Sequence, residues 1–534
     1  MRKLLWLAIL ALVAGPVAPA PAVDPTVTVR VRSLDDLIDK FEYLGGIVGQ
    51  GEAAKQAGVF ARGLADPKTG IEGIDPTRPI GLYGVLTDDV FDSYAVLVAP
   101  IADEKLFLDL LTGKLSIDPK KGEDGVYEVD VPNVPQPVFF RFANKSVYIT
   151  FRSAKPLDAK TLVAPADLFI GKEDAIAAAR VYLDRIPKGV RGTVIGQFEL
   201  QIAQQKEKKD PGATPAQQKL KGWALDSVTD ALASVLSDGK ELAVRLLVEP
   251  TTDDLTTELT LSGKTGTPLT TSFRAASSEE GRAASIGAKS SLFSGGVKLT
   301  VPERLRQPLN GIIDELLEEA VSKANESEQP LLKTLVAAVS PTLKSGVVEL
   351  GLGIAGPNKG RSASVVSAVR LSEGLKIEQF LKTIGAILPA DKGKLTFDIE
   401  KTNGLTLHKF TGTDEKFEKQ FGTDTVWLAI NDSLLLVSVE SSGDIIRAAA
   451  KQKATVVPVF TANLSLARMF RVTEEGLTPE AIAGLIDDVF KGASDDKDTL
   501  RVTISGGEKL TVRMTLKGKA LQLSIAVDQA KKAK

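Results

Sequence analysis

One order of predicted strands and helices occurs twice along the 534 residues, and this repeat limits the possible folds more than any other sequence feature. In each half, a strand leads into an amphipathic helix, at 101–111 and again at 375–388, and then into a polar turn and another strand. The clearest match is a β-hairpin, at 138–151 in the first half and at 426–439 in the second. About six consecutive elements agree in order, which chance seldom produces, so we predict an internal duplication.

The strands of these hairpins alternate apolar and polar residues, which is typical of antiparallel strands with one covered face. We therefore predict an α+β protein made of two tandem copies of a mixed unit, in which helices cover mainly antiparallel hairpin sheets. The predicted copies occupy residues 23–284 and 285–530, and a basic tail follows at 531–534. The stretch 203–221 is polar and lacks an apolar period, so we predict an exposed loop inserted in the first copy.

The N-terminus has the pattern of a secretory signal peptide. Two basic residues precede an unbroken apolar run at 4–13, and small residues then offer cleavage near Ala20 or Ala22. The run is too short to span a bilayer, which needs about 20 residues. We therefore predict that residues 1–22 are removed and that the mature chain is exported to the periplasm or outside the cell, without a transmembrane anchor.

Composition excludes several classes of function. The chain has 66 Lys and Arg against 68 Asp and Glu, a net charge of −2, and only 5% aromatic residues, so neither charge nor stacking surfaces favour nucleic acid as a partner. It has no cysteine, which excludes disulfides, thiolate metal sites and cysteine nucleophiles. The sequence predicts no cofactor.

Two glycine motifs bear on nucleotide binding, and neither meets its structural requirement. Gly351, Gly353 and Gly356 match G-x-G-x-x-G, but a turn and a strand follow where a dinucleotide site needs a helix. Residues 263–265 read Gly-Lys-Thr, as at the end of a phosphate loop, but Glu258 stands where that loop needs its first glycine. We interpret both as turns of hairpins.

The remaining candidate side chains predict no catalytic, cofactor-binding or metal-binding residue. His408 is the single histidine and lies in an alternating strand, where we expect a solvated side chain. The acidic stretch 495–498 lacks the pattern of a calcium loop, so we expect a solvated turn. Asn144 and Asn431 fit the N-glycosylation pattern, but turn formation explains both, since asparagine readily adopts positive φ.

The organisation of residues 26–530 resembles that of uncharacterised exported bacterial proteins with a duplicated α+β domain of unknown function. The resemblance implies no functional residues. We expect a non-catalytic exported protein that binds a ligand or serves as a scaffold. It would carry an apolar, lipid-like ligand in a cavity or interact with a protein through a sheet edge or an apolar patch. The alternative is a periplasmic hydrolase that uses carboxylates or a Ser–Lys pair, which predicts a deep cleft with pKa-shifted acids.

Overall fold

The structure is a computed structural model. It describes residues 24–533 except 67, 69, 133, 170–173, 209, 288–290, 357–361, 390–392, 413, 474–475 and 492–495. The predicted signal peptide therefore lies outside the described residues. The chain divides into two compact units: unit 1 comprises residues 1–198 and 232–267, and unit 2 comprises residues 199–231 and 268–534. The fold mixes helix and strand with extensive antiparallel sheet, which confirms the predicted α+β class.

Ten strands and several helices build unit 1. The strands are β1 (Val27–Val31), β2 (Ile80–Val85), β3 (Tyr94–Pro100), β4 (Lys120–Lys121), β5 (Tyr127–Val129), β6 (Val138–Ala143), β7 (Ser146–Phe151), β8 (Ala177–Tyr182), β9 (Gly239–Glu249) and β10 (Asp254–Gly263). The helices are α1 (Leu34–Ile47), α2 (Gly51–Gly63), α3 (Glu104–Asp109) and α4 (Pro165–Leu168). Two long helices, α5 (Lys188–Glu207) and α6 (Pro215–Asp238), each contribute residues to both units. Every strand pairs antiparallel with its neighbours in the order β10-β9-β8-β1-β2-β3-β7-β6-β5-β4.

The strands of unit 2 also pair antiparallel. Its helices are α7 (Pro268–Ala275), α8 (Glu303–Lys323), α9 (Gln329–Lys344), α10 (Gly374–Ile387), α11 (Glu415–Phe421), α12 (Asp444–Lys451), α13 (Leu466–Thr473), α14 (Pro479–Phe490) and α15 (Gly518–Lys532). Its strands are β11 (Glu279–Gly281), β12 (Ser291–Thr300), β13 (Val347–Ala355), β14 (Ser364–Arg370), β15 (Lys394–Thr402), β16 (Leu405–Thr411), β17 (Thr425–Ile430), β18 (Leu434–Val439), β19 (Thr455–Val457), β20 (Phe460–Ser465), β21 (Thr499–Ser505) and β22 (Lys509–Lys517). The order is β22-β21-β20-β12-β13-β14-β18-β17-β16-β15, and β11 pairs separately with β19.

One face of each sheet packs against helical segments to form a core. In unit 2, Trp427 of β17 and Leu436 of β18 are buried together with Ile446 of α12. In unit 1, Tyr83 of β2 and Tyr148 of β7 belong to a cluster that Leu157 and the residues around α4 complete. Successive side chains of a strand point to opposite faces, so the alternate residues of these strands lie on the other side of each sheet.

The predicted loop at 203–221 is wrong, because helices occupy most of it. Helix α5 continues to Glu207 and α6 begins at Pro215. Helix α5 buries no residue, so its sequence lacks an apolar period, although its Gln, Lys and Glu residues favour helix. The backbone N–H of Gln217 donates to Thr214 Oγ1 at 3.2 Å, and the Gln217 side chain accepts from the Thr214 N–H at 3.0 Å. This capping box at the start of α6 was a readable signal in the sequence.

Candidate functional site: an open apolar sheet face

His408 contradicts the prediction of a solvated side chain. It is 0% exposed, because β16 runs between β15 and β17 and the imidazole faces Glu378 of α10. The alternating pattern of β16 gave the correct strand. The pattern did not reveal that this strand lies inside the sheet, next to helix α10, which precedes it in the chain.

A small charged cluster surrounds this imidazole. The backbone N–H of Asp398 donates to His408 Nδ1 at 3.1 Å, and Nε2 lies 3.5 Å from Glu378 Oε1. The Lys382 ammonium lies 2.9 Å from Glu378 Oε1 and 3.0 Å from Asp398 Oδ1. Burial lowers the pKa of His408 below its ordinary value, against the opposing effect of the two nearby carboxylates.

The cluster brings three ligand-type side chains together, but its hydrogen bonds and ion pairs suit a neutral imidazole rather than a metal ligand. One ligand atom each from Glu378, Asp398 and His408 lies within 4.8 Å of the others. Lys382 already supplies a positive charge to both carboxylates. Because Nδ1 accepts a hydrogen bond, the neutral ring carries its proton on Nε2, so that nitrogen has no lone pair for a metal.

The two glycine motifs form ordinary backbone structure. Gly351 and Gly353 lie inside β13, and a Cβ on Gly351 would come within 1.9 Å of the Ala283 carbonyl oxygen. Close packing therefore accounts for Gly351. Residues 263–265 lie where β10 ends in a turn that leads to α7 rather than in a hairpin, and the Lys264 ammonium donates to the Ser237 carbonyl oxygen at 2.6 Å.

The predicted polar turns have mixed outcomes. Asn144 has positive φ, as expected, and its side-chain amide donates to Tyr148 Oη at 3.2 Å. Asn431 lacks positive φ, and instead its side-chain oxygen accepts from the N–H groups of Ser433 and Leu434. Asp495 lies outside the described residues. Asp498 is buried rather than solvated, and it accepts from the Ala467 N–H at the start of α13.

Unit 1 has two pockets with charged side chains in their lining. One of about 370 Å³ is lined by residues that include Lys160, Asp167 and Arg185, and one of about 460 Å³ is lined by residues that include Asp66 and Asp75. Asp66 and Asp75 accept hydrogen bonds from the backbone two residues further on. A general acid needs a raised carboxyl pKa, whereas three carboxyl groups outside these pockets have lowered pKa values. Hydrogen bonds, first of all from threonine side chains, lower the carboxyl pKa values of Glu249, Glu319 and Glu400.

The other face of the unit 1 sheet carries a continuous row of apolar side chains. Directly paired residues of an antiparallel sheet point to the same face. Following the pairs from β10 across to β6 gives Leu259, Val244, Ala179, Val29, Leu82, Leu97, Ile149 and Phe140. We call the side of the sheet that carries this row the apolar face of unit 1.

One end of the apolar face is covered and the rest is partly open to solvent. Phe107 of α3 packs edge-on against Phe140 and Phe142, with ring centroids 5.9 and 5.7 Å apart. Away from this end, five aliphatic side chains are 36–42% exposed. They are Val29, Leu97, Val244, Leu246 and Leu259. A run of exposed aliphatic side chains across neighbouring strands is a marker of a binding surface, whereas single exposed residues are ordinary.

On β8, β9 and β10, the opposite side of the sheet carries charged side chains. Arg180 of β8 lies 3.9 Å from Glu241, and Arg245 of β9 lies 3.3 Å from Glu258. Arg245 follows Val244 directly, so the two side chains point to opposite faces. Apolar and charged side chains therefore alternate along these strands and lie on opposite faces, and the apolar face remains partly exposed.

The open end of the apolar face lies near the helical hairpin α1–α2. The Tyr43 hydroxyl of α1 donates to Asp253 in the turn between β9 and β10, and this contact joins the helix to the strands that carry Val244 and Leu259. The hairpin also has exposed apolar side chains. These are Leu37, Phe41, Val59 and Phe60.

Unit 2 has an apolar row on its own sheet. Its ten residues, from β22 to β15, are Leu516, Leu500, Leu464, Phe293, Ile354, Val365, Val439, Val426, Phe410 and Leu395. Each of them is half-buried. Leu464 and Leu516 pack against the cluster formed by α13, α14 and α15, so helices cover one end of this row.

Comparisons with protein-family models, with curated proteins and with solved structures found no match to this chain. Within the described ranges, no helix combines the length and the apolar content that crossing a membrane requires. The candidate site is therefore defined by its own geometry alone.

Proposed function

We propose that this chain is a non-catalytic binding protein that holds a lipid-like ligand on the apolar face of unit 1. The observation that supports the proposal is the row of partly exposed aliphatic side chains that crosses the sheet from Leu259 to Leu97. Leaving such a surface in water costs about 25 cal/mol for each Å² of apolar area, and a bound apolar chain would recover that free energy.

The chemistry of the face favours a lipid-like ligand over a protein. Protein interfaces concentrate binding energy in Tyr, Trp and Arg, surrounded by a polar rim. The open part of the row contains only Val, Leu and Ala side chains, which offer no hydrogen bond to a partner. From β10 to β3 the row crosses six strands, and the five spacings of about 4.8 Å between them give about 24 Å, which is enough for an extended hydrocarbon chain.

The strand order of the two units supports the predicted internal duplication. We propose that the two units are copies of one ancestral unit. In support, the strands of each unit follow one order if the separate pair β11–β19 is left out: the last three strands, then the first three, and then an antiparallel set of four. Each unit also carries an apolar row at the same place in this order.

We further propose that residues 1–22 direct the chain out of the cytoplasm, as the sequence pattern predicts.

Titration with pyrene-labelled hexadecanoate tests the proposed ligand class. We expect saturable binding of the full chain, and displacement of the probe by unlabelled hexadecanoate but not by acetate, because only the long chain covers the row. Native mass spectrometry of the same sample gives the number of ligands bound. The proposal is wrong if the fluorescence rises linearly without saturation, or if acetate displaces the probe as well as hexadecanoate does.

A further inference from the structure

We propose that His408 is a proton-sensitive latch between α10 and the sheet of unit 2, so that protonation of the imidazole releases this helix from β15 and β16. The proposal concerns unit 2 alone and does not depend on ligand binding by unit 1.

The His408 imidazole accepts a backbone hydrogen bond of β15 at a place where the pairing of β15 with β16 is irregular. The pairing of β15 with β16 shifts register between Thr396 and Glu400, and Asp398 in this irregular stretch has φ of +53°. The Asp398 N–H therefore donates to His408 Nδ1 instead of a strand carbonyl. Phe397 packs edge-on against the same ring, with centroids 5.4 Å apart. The neutral ring thus fixes the path of β15.

Protonation would destroy this contact. A neutral imidazole that accepts at Nδ1 carries its hydrogen on Nε2, so the added proton must go to Nδ1. The Asp398 N–H already occupies that position, and two N–H donors cannot share it. The ring is 0% exposed, so no solvent is available to hydrate the charge unless the surrounding elements move.

The charged groups around the ring compensate only in part for the added charge, because burial outweighs the two carboxylates. Glu378 and Lys382 face the ring from α10, and Asp398 faces it from β15. Lys382 already pairs with both carboxylates. The 3.5 Å separation of Nε2 from Glu378 Oε1 is too long for a strong hydrogen bond, and Nε2 has no other partner. The arrangement therefore suits a neutral ring.

Unit 1 provides an internal control at the corresponding place. There, α3 packs on the sheet through Phe107, Phe140 and Phe142, which have no group that titrates. A fall in pH should therefore weaken the packing of α10 on its sheet but not the packing of α3 on its sheet. Both helices can be followed in one sample.

Hydrogen exchange of the full chain at about pH 7.5 and about pH 5, on either side of the ordinary histidine pKa of about 6.5, tests the latch. After correction for intrinsic rates, we expect the ratio of exchange in α10 to exchange in α3 to rise about tenfold or more at the lower pH. The sign follows from the lowered pKa of His408. The neutral ring stabilises unit 2 above about pH 6.5, and this stabilisation is lost as the pH falls through the folded pKa.

Because His408 is the single histidine, its imidazole signals in an NMR spectrum need no assignment. We expect the Nε2–H tautomer at neutral pH and a change of the Asp398 amide signal together with the ring titration. In the variant His408→Leu, the exchange ratio should no longer depend on pH. If this variant does not fold, the wild-type spectra decide the question. A ring that titrates without change in the Asp398 amide or in α10 exchange overturns the latch, and so does an α10 whose exchange ratio is the same at both pH values.

Discussion

The variant Val244→Glu is expected to bind pyrene-labelled hexadecanoate at least about tenfold more weakly than the natural chain. Val244 is the second residue of the open row, beside Leu259, and is 40% exposed, so a glutamate there is hydrated in the free protein. A bound hydrocarbon chain would bury the carboxylate without a partner, at a cost of more than the approximately 1.4 kcal/mol that corresponds to tenfold in Kd. Fluorescence titration measures the change.

The matched control is Val456→Glu in β19, which introduces the same charge at a strand residue that is 67% exposed and belongs to unit 2. We expect this variant to bind the probe as the natural chain does. Both variants should unfold at the same urea concentration as the natural chain to within a small shift, because neither residue is buried. Equal binding by the two variants would contradict the location of the site.

The variant Phe140→Ala is expected to lower the free energy of unfolding of unit 1 by about 3–5 kcal/mol. Phe140 is 2% exposed and stacks on Tyr127 with ring centroids 4.7 Å apart. It also meets Phe107 and Phe142 edge-on. Its truncation leaves a cavity where α3 covers the sheet, and the rigid strands around it can close only in part. Urea denaturation followed by tyrosine fluorescence and circular dichroism measures the loss.

Phe151→Ala serves as the comparison for this variant. Phe151 lies on β7, next to β6, but is 48% exposed, so its truncation should cost less than about 1 kcal/mol. Similar losses for the two variants would show that α3 does not form a packed core with Phe140.

The sequence predicted elements well where local patterns determine them. The hairpins at 138–151 and 426–439 form as β6–β7 and β17–β18, because alternating apolar residues and short polar turns specify such pairs. The α+β class followed from the same patterns. The order of strands did not, since pairs such as β3–β7 and β12–β20 join segments far apart in the chain.

The candidate site could not be predicted from the sequence. We predicted one covered face from alternation, but strands β17 and β18 are apolar at nearly every position, so their sequence does not show which face stays partly open. The row of unit 1 depends on the register of eight strands, which the sequence does not specify. Helix α5 was missed because it has no buried side, and the burial of His408 was missed because it depends on α10.

Photolabelling with a diazirine derivative of hexadecanoate tests the central claim most directly, because it shows where a bound hydrocarbon chain lies. After irradiation of the full chain and peptide mapping, we expect labels in β1, β3, β9 and β10, at or beside Val29, Leu97, Val244 and Leu259. An excess of unlabelled hexadecanoate should remove these labels. Labels confined to the exposed helix α2, or labels that unlabelled hexadecanoate does not reduce, would contradict the assignment of the apolar face as a binding site.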